Sequence, residues 1–340
     1  MLVFENDYSE GCHPRILERL AQTNFDKQVG YGFDEYCDSA KEKIAAACQK
    51  DVDVWFLSGG TQTNRIVISN MIDAYQSVVA ADTGHINVHE AAAIESAGRK
   101  VQLLPHVDGK LQAESLKRML VDFYADDHHD HCPFPGMVYI SHPTEYGTLY
   151  SKAELTALAE VCREYDMPLY MDGARLGYAL ACPDSDLTLP EIAELCDVFY
   201  IGGNKVGALC GEALVFTKNN TPSHFLARVK QQGGLLAKGR LLGIQFDALF
   251  TDGLYEKLGA HAIAMAAKLR GIFEQKGYEF HLNSPTNQLF VVLENEKMEQ
   301  LRPFVRFSFW EKRGETHSVV RFATSWATLE SDIDELAKLL

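Results

Sequence analysis

Apolar positions along this chain fall into two patterns: residues spaced three or four apart, and short unbroken runs. The alternation of the two predicts helices and buried strands in turn. Asp38 to Gln49 carries Ala40, Ile44, Ala47 and Cys48 on one face and reads as a helix. Val52 to Leu57 reads as a strand, Ser58-Gly59-Gly60-Thr61 as a turn, and Gln62 to Ala74 as a helix that buries Ile66, Val67, Ile68 and Met71. Further strands are expected at Val78 to Ala80, Val101 to Leu104, Met137 to Ile140, Leu169 to Met171, Val198 to Ile201 and Ala213 to Phe216. Between them, helices are expected at Glu90 to Ala97, with Gly98 as its C-cap, and at Ala113 to Phe123. Another is expected at Lys152 to Tyr165, where Ser151 is the N-cap and Leu155, Leu158, Ala159 and Val161-Cys162 face inward.

Strands that alternate with helices argue for an α/β fold, a mostly parallel central sheet wrapped by helices. Gly233-Gly234 breaks the rhythm, and long helices follow at Gly239 to Leu249 and Leu254 to Lys276. The end changes character, with strands at Leu289 to Leu293, Phe304 to Trp310 and Val319 to Ala323, then a helix from Asp332 to Leu340. Three parts are expected: an N-terminal arm over 1–30, where no periodicity is visible, a large α/β domain over 31–249, and a small C-terminal α+β domain over 250–340.

Composition narrows the function classes. The chain has 340 residues, 46% hydrophobic and 23% charged, ordinary for a globular protein with a large core. A net charge of −15 argues against a nucleic-acid partner, which calls for a basic face. No run approaches the ~18 apolar residues of a membrane span. The start, Met1 to Asp7, turns acidic at once and has no basic stretch before an apolar core, so no secretory signal is expected. The eight cysteines are scattered, without a Cys-x-x-Cys pair, which points to a reducing, cytoplasmic setting. Asp126 to Cys132 is rich in His and Asp; it reads as a solvated loop, with no helix or strand to fix a metal-ligand set, and no metal is expected.

The chemistry concentrates at strand ends. Asp172, in Met171-Asp172-Gly173-Ala174-Arg175, and Lys205, in Gly202-Gly203-Asn204-Lys205, each follow an apolar run. An acid at one strand end and a lysine at a later one can hold a pyridine cofactor, the lysine as a Schiff base and the acid against the ring nitrogen. Alone, Asp172 is also a helix cap, Arg175 a surface ion pair and Lys205 a solvated side chain. The turn at Gly60-Thr61 feeds a helix N-terminus, which suits a phosphate as well as a plain N-cap; no Gly-Lys-Ser/Thr ending makes it a P-loop. His85 closes the strand that ends in Ala81 and can stack on a flat ring or act as a base. His89 lies four residues on, and a zinc reading of the pair lacks further ligands.

Together these residues resemble the low-specificity threonine aldolases, within the PLP-dependent β-eliminating lyases. The resemblance runs from Asn6 to about Trp326 and is carried by Phe56 to Asn64, Met171 to Arg175, and Gly203-Asn204-Lys205-Val206-Gly207. It implies the aspartate-aminotransferase-like fold (fold type I) and pyridoxal 5′-phosphate (PLP) as cofactor. It implies that Lys205 forms the Schiff base, that Asp172 keeps the ring nitrogen protonated, that His85 stacks on the ring, and that Gly60 and Thr61 hold the phosphate. Ser9, Arg175 and Arg321 would bind the substrate carboxylate, and Tyr31 would lie at the site. Lys238 or Arg240, after Gly233-Gly234, would reach the phosphate of a neighbouring subunit, which implies a homodimer or homotetramer.

The chain departs from the pattern at three places. Asn204 stands where serine or threonine is common, the phosphate turn has a second glycine, and His142-Pro143-Thr144-Glu145-Tyr146 offers Glu145 where a histidine often meets the substrate hydroxyl. The implied reaction is cleavage of L-threonine or a related β-hydroxy amino acid to glycine and an aldehyde, through a Schiff base and a quinonoid carbanion. His85, Glu145 or a bound water would serve as base. The alternatives are a β-eliminating lyase, aminotransferase or racemase on the same cofactor, or a non-catalytic binding module on the same fold.

Overall fold

The computed structural model describes residues 1–340. Its strands are β1 (Leu2–Val3), β2 (Asp53–Leu57), β3 (Gln76–Ala81), β4 (Lys100–Leu104), β5 (Phe134–Ser141), β6 (Leu169–Asp172), β7 (Val198–Gly202), β8 (Glu212–Phe216), β9 (Gln288–Glu294), β10 (Val305–Arg306), β11 (Ser308–Arg313) and β12 (His317–Ala323). Its helices are α1 (Pro14–Gln22), α2 (Glu35–Cys48), α3 (Gly60–Met71), α4 (His85–Val88), α5 (Ala93–Ser96), α6 (Ala113–Ala125), α7 (Lys152–Glu164), α8 (Leu176–Ala181), α9 (Leu189–Leu195), α10 (Phe225–Gln231), α11 (Arg240–Leu249), α12 (Leu254–Gln275), α13 (Asn295–Leu301) and α14 (Glu330–Leu339).

Seven strands form the central sheet in the order β2-β8-β7-β6-β5-β3-β4. The pairs among β3 to β7 are parallel, and β8 runs against both of its neighbours. Both faces are covered, so the strands are apolar on alternate residues in both directions. Val79, Val138, Ile140, Leu169, Met171, Phe199 and Ile201 face the larger core, with α2, α6, α7, α8, α9, α11 and the start of α12. Val78, Ala80, Met137, Tyr139, Tyr170, Val198 and Tyr200 face the smaller core, with α3, α4, α5 and α10. A second, three-stranded sheet in the order β11-β12-β9 is antiparallel and packs on the end of α12 and on α14.

The sequence-based elements appear with shifted ends, and three regions differ in kind. Residues 1–30 hold α1, begun by Pro14 at the first turn, and the short β1, which pairs with β10. The helix expected over Glu90 to Ala97 is cut to α5 because Ala91 and Ala92 adopt positive φ. The strand expected over Phe304 to Trp310 is divided at Phe307, where β10 joins β1 and β11 joins β12.

Candidate active site

The cleft opens at the carboxyl ends of the parallel strands, where an open α/β sheet leaves backbone groups and side chains free to meet a ligand. Two adjoining cavities, of about 620 and about 320 Å³, share Tyr8, His85, His89, Glu145, Arg175 and Lys205 in their walls. Arg321 lines the first, and Gly60, Thr61 and Asp172 line the second. Residues spread over the sequence from Tyr8 to Arg321 thus meet in one place. Gly60, Thr61, His85, Glu145, Asp172, Arg175 and Lys205 sit at the ends of central-sheet strands or in the segments that follow them, whereas Tyr8 comes from the N-terminal segment and Arg321 from within β12 of the second sheet.

Asp172 is the last residue of β6, and its side chain shares a sheet face with Tyr170. Register across β5, β6 and β7 puts Tyr139 and Tyr200 on the same face. The carboxylate accepts four hydrogen bonds. Oδ1 receives the Ala174 N–H at 3.0 Å and the Tyr200 hydroxyl at 2.5 Å; Oδ2 receives the Asn64 amide at 3.0 Å and the Tyr139 hydroxyl at 2.7 Å. Burial alone would raise its pKa, but the charge at His85 and the bonds from Tyr200, Asn64 and Tyr139 lower it below the usual carboxylate value. A buried anion is thus held in the cleft wall by neutral donors, with no cation bonded to it.

Lys205 follows β7 through Gly203 and Asn204, whose N–H groups both bond to the Gly211 carbonyl and fold the chain back. Desolvation, then the charge of Arg175, pulls the ammonium pKa down to about 8, against the opposing carboxylates of Asp7, Asp172 and Glu212. Glu212, 3% exposed, is pushed the other way by burial and accepts the Gly203 N–H at 3.1 Å. The sign of both shifts is that of desolvation: each favours its neutral form.

His85 begins α4, with Nδ1 2.8 Å from Glu90 Oε1. Its backbone N–H donates to Glu145 Oε1 at 2.9 Å, and the Ser141 hydroxyl donates to the same oxygen at 2.6 Å. Burial raises the Glu145 pKa. His142 is fully buried, held down to about 4 by desolvation, and lines neither cavity; of that segment, Pro143, Glu145 and Tyr146 line the cleft, and Glu145 is its ionisable carboxyl group there. Arg175 forks onto Asp7, Nε to Oδ2 at 2.6 Å and Nη2 to Oδ1 at 3.1 Å. Arg321 donates to Gln288, the Glu5 carbonyl and Ser308, and its guanidinium lies 5.8 Å from the Trp310 ring. Asp7 neutralises one of these two arginines and leaves one positive charge over.

Gly59 caps α3 without a side-chain bond, so the first N–H groups of the helix at Gly60 and Thr61 face the second cavity. A Cβ on Gly60 would come 3.0 Å from the Tyr200 hydroxyl, so the helix start lies against a tyrosine that holds Asp172.

Ser9 and Tyr31 lie outside this cleft, and so do Lys238 and Arg240, which the resemblance implies for a neighbouring subunit's site. The Ser9 hydroxyl is exposed and bonds to Asn6; its neighbour Tyr8 lines the cleft instead. Tyr31 has its ring under the Lys230 ammonium, in a separate cavity of about 220 Å³. Lys238 is exposed, and Arg240 is spent on the carbonyls of Thr23, Asn24 and Asp26. In the other direction, Asp7, Asn64, Glu90, Tyr139, Tyr200 and Glu212 reach the site unannounced by the sequence. The tyrosines left one signal, a hydroxyl inside apolar strands meant to be buried on both faces.

The model of the beta-eliminating lyase family matches residues 7–296 of this chain. The chain belongs to the beta-eliminating lyase family. The solved structure of a threonine aldolase from Leishmania major superposes with a TM-score of 0.96 at 40% identity, covering 100% of this chain and 98% of that one. The low specificity L-threonine aldolase of a Pseudomonas species is 30% identical over 342 residues, 98% of this chain and 95% of the relative. An aspartate aminotransferase from Thermus thermophilus shares the fold, with a TM-score of 0.73 at 13% identity, covering 100% of this chain and 92% of that one. The family member described here therefore has the α/β architecture of the aspartate aminotransferases.

Proposed function

We propose that this protein is a PLP-dependent lyase that splits L-threonine, or a related β-hydroxy-α-amino acid, into glycine and an aldehyde. The observation that carries the reading is the Asp172 cage. A carboxylate kept ionised in a buried wall, held by four neutral donors and with no cation bonded to it, is matched in charge to the N–H of a protonated pyridine ring. The residues around it fit the rest of PLP: an amine at Lys205, a flat ring at His85, and helix N–H groups at Gly60 and Thr61 for the phosphate. When bound, PLP supplies an electron sink for a carbanion at Cα.

The chain's own residues do the remainder. Lys205 presents an amine whose lowered pKa keeps a fraction neutral near pH 8. Asp172, ionised, would accept a hydrogen bond from the ring N–H and so keep that proton on the ring. The one positive charge that Arg175 and Arg321 keep after the pairing with Asp7 would attract an amino-acid carboxylate and so orient the Cα–Cβ bond. A base on the cleft wall, His85 or Glu145, takes the β-hydroxyl proton as that bond breaks.

We also read Lys238, exposed beyond Gly233-Gly234, as a contact to a neighbouring subunit's phosphate in a homodimer or homotetramer; Arg240, held by three carbonyls, suits that role less. No helix is long and apolar enough to cross a membrane. Eight free cysteines, six of them buried, support a reducing compartment such as the cytoplasm.

The test is a panel of amino acids with product identification. Glycine and an aldehyde are expected; pyruvate and ammonia would assign a β-elimination instead. Lys205→Ala is expected to lose both turnover and the visible absorbance of bound cofactor, and retention of both would overturn the scheme.

A further inference from the structure

One hydrogen-bond chain joins His85 to the Asp172 cage through two buried residues, Asn64, one of the donors of that cage, and Glu90, which the scheme above leaves without a role. Glu90 is 4% exposed and Asn64 wholly buried. Tyr170 donates its hydroxyl to Asn64 Oδ1 at 2.7 Å. That hydroxyl could equally accept from an NH2 group, so the two carboxylates at the other amide atom settle which way the amide faces. The Asn64 NH2 group then has two protons, and it has two carboxylates to receive them, Glu90 Oε1 at 2.6 Å and Asp172 Oδ2 at 3.0 Å. Turned the other way, the amide would set its own oxygen against both carboxylates, three acceptors without a proton in a site that excludes water.

Glu90 Oε1 thus already accepts one bond when His85 Nδ1 approaches it at 2.8 Å. For that contact to be a hydrogen bond with an ionised Glu90, the proton must sit on Nδ1. The other ring nitrogen, Nε2, is then left with its lone pair, on a ring that lines both cleft cavities. We propose that Glu90 is the positioning residue that holds His85 in the Nδ1–H tautomer, so that Nε2 is the proton acceptor for the substrate hydroxyl. Asn64 extends the arrangement by tying the same Glu90 oxygen to Asp172, so the base and the ring-nitrogen partner share one rigid support. The tautomer stands independently of the reaction; its catalytic consequence rests on the aldolase reading.

The experiment is nitrogen NMR of the holoenzyme carrying isotope-labelled histidine, at a pH where the imidazole is neutral, with the His85 signals assigned by their loss in His85→Asn. The expected spectrum has a protonated Nδ1 and a bare Nε2. Glu90→Ala is expected to move the proton toward Nε2 and to lower kcat about a hundredfold, with KM and cofactor absorbance little changed. Glu90→Gln keeps the shape and removes the charge, and is expected to fall between the two in both readouts. If Glu90→Ala does not fold, Glu90→Gln and the wild-type tautomer decide. A wild-type His85 with its proton on Nε2 overturns the proposal, as do variants that keep the wild-type tautomer and turnover. A protein that shows the Nδ1–H tautomer and its loss in the variants, yet releases no glycine, keeps the Glu90 role and refutes the aldolase reading.

Discussion

At Asp172 the charge matters less than the number of donors fixed around it. Asn in its place would turn an N–H toward at least one of those donors, leaving a buried clash of protons. Asp172→Asn is therefore expected to weaken PLP binding and to cut turnover at least a hundredfold, read by equilibrium titration of cofactor absorbance and by steady-state kinetics. Lys205 and Glu212 form a second test at this scale. The Glu212 carboxylate raises the lysine pKa against the desolvation that lowers it. Glu212→Gln removes that support, so the pH at which Lys205 becomes a nucleophile is expected to move below about 8, measured as the pH dependence of its acylation in cofactor-free protein. Of the two candidate bases, Glu145 already has Oε1 occupied by the His85 N–H and the Ser141 hydroxyl. Glu145→Gln is accordingly expected to cost less than about tenfold in kcat, and His85→Asn about a hundredfold or more.

Strand and helix ends decide how closely these groups meet. A Cβ on Gly202 would lie 2.2 Å from the Ala174 carbonyl, and one on Gly173 would lie 2.0 Å from the Tyr200 carbonyl, so the ends of β6 and β7 touch through their backbones. Gly202→Ala is expected to lose about 3 kcal/mol or more of stability, or to fail to fold, as read by urea unfolding. Ser151, far from the cleft, caps α7 in a reciprocal box with Glu154. Ser151→Ala is expected to cost about 1 kcal/mol with unchanged kinetics. These elements were legible because their signals are local: a serine before an apolar-periodic run, or glycines at the end of an apolar run. The break at Ala91-Ala92 was not legible, since alanine favours helix and only the pull of Glu90 toward His85 and Asn64 accompanies the turn. Glu90 stands at the start of the expected helix, yet in the fold it is a buried support of the site.

Over the whole molecule, Asp7 is the residue that joins distant parts. It bonds to Arg175 after β6 and accepts the Asn287 amide, beside β9, at 2.9 Å, so the N-terminal segment links the central sheet to the three-stranded one at the cleft. Burial would raise its pKa, but the Arg175 and Lys205 charges and two hydrogen bonds bring it down to about 2 from the usual 3.8. A depressed carboxyl pKa contributes stability that is full above the unfolded value and is lost as pH falls through the folded one. The contribution is roughly 2 kcal/mol, lost between about pH 4 and pH 2. Asp7→Asn is expected to flatten that acid limb in melts taken across the window. At neutral pH it should cost roughly 3–5 kcal/mol, because Arg175 is left buried without its partner.

The sequence by itself determined the alternation of strands and helices, and with it the parallel sheet. Periodicity and caps are written in neighbouring residues, and the sheet edge then gathers whatever follows each strand. It also marked Asp172, Lys205, His85 and the Gly60-Thr61 turn, because each stands at such an end. Only the tertiary structure decided what those groups are. Register placed Tyr139 and Tyr200 on the face of Asp172, chain crossing brought Asp7 to Arg175, and a two-alanine turn set Glu90 beneath His85. Whether a carboxyl or an amine is charged depends on donors and burial supplied from elsewhere in the chain. Spacing along the sequence does not encode those distances.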